Sequence, residues 1–144
     1  MARRILVIGI GTFGTALVES LHRSGNEAIV IDENAQAIDP VKDLCAHAVV
    51  ADASDPRVLE AVEANTCDAA VVTFGNDFEA TVMAVASLKK LGVREIAARA
   101  ISQRQTDVLL AVGATRVIQL EIEGGRRLAE EPTKKVNSAS VSPL

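Results

Sequence analysis

The sequence has no Trp and no Tyr, and three Phe are its only aromatic residues in 144 positions. Rings on which bases stack are therefore scarce, and a net charge of -4 supplies no basic field to gather phosphates. Both facts argue against a nucleic-acid partner. The two histidines, His22 and His47, and the two cysteines, Cys45 and Cys67, fall in no CxxC, HxxxH or mixed Cys/His spacing. A structural zinc site is disfavoured, and the cysteines read as buried thiols of a reducing compartment. No apolar run approaches the ~20 residues of a membrane span. The N-terminus runs straight into a strand-like segment, without the apolar stretch of an export signal. A cytoplasmic protein is expected.

What remains is an aliphatic chain. Hydrophobic residues make up 49% of it, almost all Ala, Val, Ile and Leu, the usual filling of a parallel sheet covered by helices. Short apolar runs predict strands at 5–8, 28–31, 48–51, 69–73, 95–99 and 115–119. Between them, helical spacing or capping signals predict helices over 13–21, over a segment broken near Pro40, over a short stretch behind Asp55 and Pro56, from Asn76 or Asp77 to Lys90, over 103–112 and over 123–131. Strict alternation of strand and helix predicts a Rossmann-like doubly wound α/β domain. Its sheet should be six-stranded and parallel, in the order 3-2-1-4-5-6, with helices on both faces. That domain should fill residues 1–131. Residues 132–144, rich in Ser, Lys and Pro, read as a disordered tail.

The chemistry is concentrated where the first strand gives way to the first helix. Gly9-Ile10-Gly11-Thr12-Phe13-Gly14 places glycines in the GxGxxG pattern in its required setting, after a buried strand and opening an amphipathic helix. Gly9 permits a tight turn, Gly11 lets a pyrophosphate approach the backbone, and Gly14 lets the helix pack closely on the strand. The unpaired amides of the helix start, together with its dipole, would bind phosphate oxygens.

Asp32 ends the second strand about 20 residues further on, where a carboxylate accepts from both ribose hydroxyls. With Glu33 it repels a 2′-phosphate. NADP is therefore disfavoured, while NAD, ATP, ADP and AMP all offer the same diol. Asp52 and Ala53, after the third strand, are placed to face adenine, although Asp52 serves equally well in capping the next helix. Thr73, Gly75 and Asn76 follow the fourth strand across the switch point, and Arg99 ends the fifth, where it can offset phosphate charge. Against this binding reading stands an NAD-dependent oxidoreductase fragment. Such an enzyme needs a substrate pocket and an acid/base beside the nicotinamide, and neither is evident here.

The stretches "ILVIGIGTFGTALVESLHRSGNEAIVID", "AVVADASD", "VVTFGND" and "LLAVGATRVIQLEIEGG" together resemble the RCK domain, also called KTN or TrkA-N. The resemblance covers residues 4 to about 131. It implies a regulatory subunit that gates a membrane-embedded potassium transporter or channel from the inner face of the plasma membrane. It also implies a homodimer assembling to an octameric ring, binding ATP/ADP or NAD(H). Carried over by position, the turn glycines would hold phosphates, Asp32 the ribose, Asp52 and Ala53 the adenine, and Gly75 and Arg99 would flank the nucleotide. Glu121 matches an acid that helps hold Mg or Ca between phosphates of a neighbouring subunit. Thr12 departs from the pattern: ATP-sensing members often carry Arg there, so a strong triphosphate preference is not expected. Such proteins also continue into a smaller C-terminal lobe, which residues 132–144 are too few to form. The nucleotide-sensing domain of another transporter would share the same binding chemistry.

Overall fold

The computed structural model describes residues 2–131, and the expected tail at 132–144 lies outside them. The order of elements is β1 (Arg4–Ile8), α1 (Gly11–Arg23), β2 (Glu27–Asp32), α2 (Ala35–Ile38), β3 (His47–Val50), α3 (Pro56–Ala61), β4 (Ala69–Val72), α4 (Phe78–Lys90), β5 (Glu95–Arg99), α5 (Gln103–Val112), β6 (Arg116–Ile118) and α6 (Leu120–Glu130). All six strands pair in parallel in the order β3-β2-β1-β4-β5-β6. This is the expected doubly wound sheet.

Alternate strand residues point to opposite faces, and each face has its own core. Leu6, Ile8, Ile29, Ile31, Val72, Ile96 and Ala98 pack with Leu59 of α3, Ala84, Val85 and Leu88 of α4 and Leu109 of α5. Ile5, Val7, Ala28 and Val30 pack on the other face with Val18 of α1, Ile38 of α2 and Val41. At 25 cal/mol per Å², each fully buried aliphatic side chain contributes about 1.5–3 kcal/mol. Aliphatic side chains thus supply most of the core, with Phe74 and Phe78 packed against it.

Local signals set the element ends. Pro40 stops α2 after one turn, and the chain continues as a 3-10 turn over Asp39–Leu44. Asp55 caps α3 by accepting from Arg57 N, with Pro56 next in line. Asp77, and not Asn76, caps α4 by accepting from Ala80 N at 3.0 Å. The predicted start of the last helix at Glu123 is corrected to Leu120. The Glu123 carboxylate reaches back one turn to accept from Gln119 N at 2.8 Å, so it lies inside the helix it closes.

Candidate functional site

Parallel strands deliver their C-terminal ends to one edge. The connections leaving β1 and β4 there go to opposite sides of the sheet and leave a crevice between them. It encloses about 310 Å³, the lower end of the range for small-molecule pockets. Gly9, Ile10 and Gly11 form its floor after β1. Ile31, Asp32 and Glu33 line it from β2, Ala51 and Ala53 from the segment after β3, and Thr73, Phe74 and Gly75 from the segment after β4.

The turn after β1 is held from both sides. Gly9 N donates to Ile31 O at 2.9 Å, and Ile10 N donates to Asp32 Oδ2 at 2.8 Å. From β4, the Thr73 hydroxyl donates to Gly9 O at 2.5 Å. Gly9 sits at φ +81°, and a Cβ there would come within 2.5 Å of Thr73 O, so the close approach of the two loops requires glycine. Gly11 is different. Its φ is +39° and a Cβ would meet nothing within 4 Å, so the space beside its backbone is open. A Cβ at Gly14 would lie 2.7 Å from Gly9 O, which shows how tightly α1 seats on the turn.

No side chain caps α1 and no acid occupies its first turn. Its leading amides, Gly11, Thr12 and Phe13, have no acceptor within the helix. With the positive end of the dipole, they make a cradle for anionic oxygens. Asp32 Oδ1 accepts from Asn34 N at 2.8 Å. Each carboxylate oxygen therefore has one partner and a lone pair to spare.

Other expected site residues stand apart from the crevice walls. Thr12 lines a shallow groove along the outside of α1 together with Thr15 and Ala16. Phe13 is half-buried and Gly14 buried in α1. The Asp52 carboxylate is turned to its own loop, accepting from Ser54 N at 2.9 Å and from the Ser54 hydroxyl at 2.6 Å. Asn76 is exposed beyond Gly75. Arg99 leaves β5 at the same edge and pairs with Glu121 of α6 at 2.5 Å. The Arg99 guanidinium beside Glu121 holds its carboxyl below the usual glutamate range. Among the described residues, no three His, Cys, Asp or Glu side chains gather to hold a metal. Three wall residues, Ile31, Ala51 and Phe74, carry no sequence signal of their own. Only their position at strand ends brings them to the crevice.

A parallel doubly wound sheet with a glycine turn and an acid at the next strand end defines a Rossmann-type α/β domain. The chain belongs to the TrkA-N domain family, whose model matches residues 5–120. It is 28% identical over 129 residues to the Ktr system potassium uptake protein C of Bacillus subtilis (strain 168), covering 90% of this chain and 58% of that protein. The Ktr system potassium uptake protein A of the same organism is 28% identical over 128 residues, covering 89% and 58%. The chain thus spans about three fifths of the length of these relatives.

Among solved structures, the TrkA-N domain of inner membrane protein ybaL from Escherichia coli superposes with a TM-score of 0.80 at 25% identity, covering 90% of this chain and 96% of that one. The Shewanella denitrificans Kef CTD in AMP-bound form gives 0.77 at 22% identity, covering 95% and 84%. The GsuK channel bound to NAD gives 0.76 at 19% identity, covering 89% and 23%. At these last identities the likeness is one of fold. Among the described residues, no helix is long and apolar enough to cross a membrane.

Proposed function

We propose that this domain binds an adenine nucleotide, ATP/ADP or NAD(H), in the crevice between β1 and β4, and acts as the regulatory domain of a potassium uptake system or channel. The observation that carries the reading is the open anion cradle at Gly11, Thr12 and Phe13 beside the Asp32 carboxylate. Phosphates would take the amides, ribose hydroxyls would donate to the free lone pairs of Asp32, and the base would lie toward Ala51 and Ala53. Ala53 is buried and the Asp52 side chain is engaged by Ser54, so an adenine amino group would be read by the backbone of this segment. Thr73 and Gly75 would face the far phosphate or second sugar, with Asn76 just beyond.

Glu121 offers one carboxylate, already bonded to Arg99. A Mg or Ca ion there would need phosphate oxygens for its other ligands. The potassium-system reading is supported by the names of the Ktr relatives, and the nucleotide reading by neighbours of the same fold bound to NAD and AMP. A regulatory role in place of an enzymatic one is supported by the TrkA-N family match and the Ktr relatives. A ligand would act through its differential affinity for two arrangements of paired domains. Exposed apolar side chains on α4, α5 and α6, such as Met83, Leu110 and Leu128, suit the homodimer or ring, which would act on a membrane pore subunit.

The test is to denature the purified protein and identify the released small molecule by mass spectrometry, followed by calorimetry with ATP, ADP, AMP and NADH. Release of a nucleotide, or its binding in the micromolar range, is expected. No release and no heat with any of them would refute the reading.

A further inference from the structure

The proposed site gives Asp32 to the sugar, yet both its oxygens are already engaged within the chain. Oδ2 takes the amide of Ile10 and Oδ1 that of Asn34, each at 2.8 Å. Ile10 is the N-cap of α1, at φ -93° and ψ -60°, and its amide has no partner inside the helix. The neighbouring Gly9 amide goes to Ile31 O at 2.9 Å. Two consecutive residues of the turn are thus stitched to two consecutive residues of β2. The turn needs such a clamp, because Gly9 and Gly11 both hold positive φ and glycine fixes neither of them by itself.

We infer that Asp32 is a positioning residue for the phosphate turn: its carboxylate fixes the Ile10 amide, and through it aims the Gly11 and Thr12 amides at the anion. The inference rests on the proposed function for its ligand, but the clamp itself is a property of the chain alone. It makes an unusual demand. A negative side chain would strengthen an anion site, because the order it imposes outweighs the repulsion it adds. If Asp32 acted only on the sugar, removing its charge would leave a sugar-free polyanion bound equally or more tightly. If Asp32 builds the turn, the same change weakens that binding.

The experiment uses the full chain, with Asp32→Asn as the variant, because an Asn oxygen accepts from one amide while its NH2 group accepts from none. Inorganic pyrophosphate and ADP are titrated by calorimetry, and amide hydrogen exchange is read by NMR with no ligand added. In the parent protein, the Ile10 amide should exchange at least tenfold more slowly than those of Gly11 and Thr12. In Asp32→Asn, Ile10 exchange should rise at least tenfold with the β5 amides unchanged, and pyrophosphate affinity should fall fivefold or more. Pyrophosphate binding that is unchanged or tighter while ADP weakens would overturn the inference and leave the sugar contact standing. An Ile10 amide in the parent protein that exchanges as freely as Gly11 would overturn it without any variant. If the parent protein binds neither ADP nor pyrophosphate, the proposed function fails, and the exchange pattern still decides whether Asp32 holds the turn.

Discussion

Around β1 and β2 the sheet is sealed on both faces, whereas β5 and β6 are covered on one. Leu6, Val7 and Ile8 of β1 and Val30 and Ile31 of β2 are wholly buried. In β5, by contrast, Ile96 and Ala98 are buried while Ala97 and Arg99 between and after them are half-exposed. Ala97 and Arg99 share their face with Arg116 and Ile118 of β6, across the pairings Ala97–Arg116 and Arg99–Ile118. The helix α6, which follows β6, has no buried residue. The contrast separates two tasks. The central strands β1 and β2 are covered on both faces and carry the glycine turn and Asp32 on adjacent elements. The second half presents a face and a helix suited to contact with something else, in line with the proposed assembly.

Core substitutions should give the largest difference. Leu6→Ala is expected to cost about 2–5 kcal/mol in denaturant unfolding, because a sealed site collapses poorly around a cavity. Ile118→Ala, on the open face, should cost less than about 1.5 kcal/mol at low protein concentration. Equal costs would break the comparison. A cost at Ile118 that grows with protein concentration would sharpen it, since an assembly would bury this half-buried side chain further.

Gly11→Val comes next. Its side chain would fill the open space above the cradle, and nucleotide affinity should fall by at least about 3 kcal/mol, the scale of losing several hydrogen bonds to a charged group. The helical circular dichroism should largely persist, because no neighbour lies within 4 Å to clash and the strain of a β-branched residue at φ +39° falls on the turn itself. Binding that survives would remove the turn from the site.

Asp32→Ala should weaken adenosine nucleotides by roughly 1–3 kcal/mol in calorimetry. Arg99→Gln, at the end of β5 and outside the crevice lining, should change affinity by less than about 0.5 kcal/mol. Similar losses at both positions would show that the end of β5 also touches the ligand.

The smallest effect concerns Glu121. Arg99 lowers its pKa in the folded protein, so the pair contributes above the ordinary carboxylate range and is lost as pH falls through the lowered value. The pair is exposed, and its effect on stability should be slight. Carbon NMR of the Glu121 carboxyl should give a midpoint below that of an ordinary glutamate, moving back up in Arg99→Gln. A midpoint at the ordinary value would deny the pair in solution.

Much of this molecule is legible in its sequence because its signals are local. Runs such as Ile5 to Ile8 announce buried strands, Pro40 and Pro56 mark helix boundaries, and Gly9, Gly11 and Gly14 gain meaning from the strand before them. Asp32 is found by its distance from that turn. What escapes is set by three-dimensional neighbours. Phe74, Ala51 and Ile31 are ordinary apolar residues until parallel strands bring their ends together. Nothing in the spacing of Ile10 and Asp32 announces a hydrogen bond between them. Asp52 and Arg99 sit at the expected edge, but Ser54 and Glu121 compete for them. Glu123 reads as the first residue of a helix until its side chain is seen reaching backward.

The most direct measurement is a crystal structure grown with saturating ADP or NADH. Phosphate oxygens within hydrogen-bonding distance of the Gly11 and Thr12 amides, with a ribose on Asp32, are expected. A nucleotide bound elsewhere on the chain, with the β1–β4 crevice vacant, would contradict the assignment of the site.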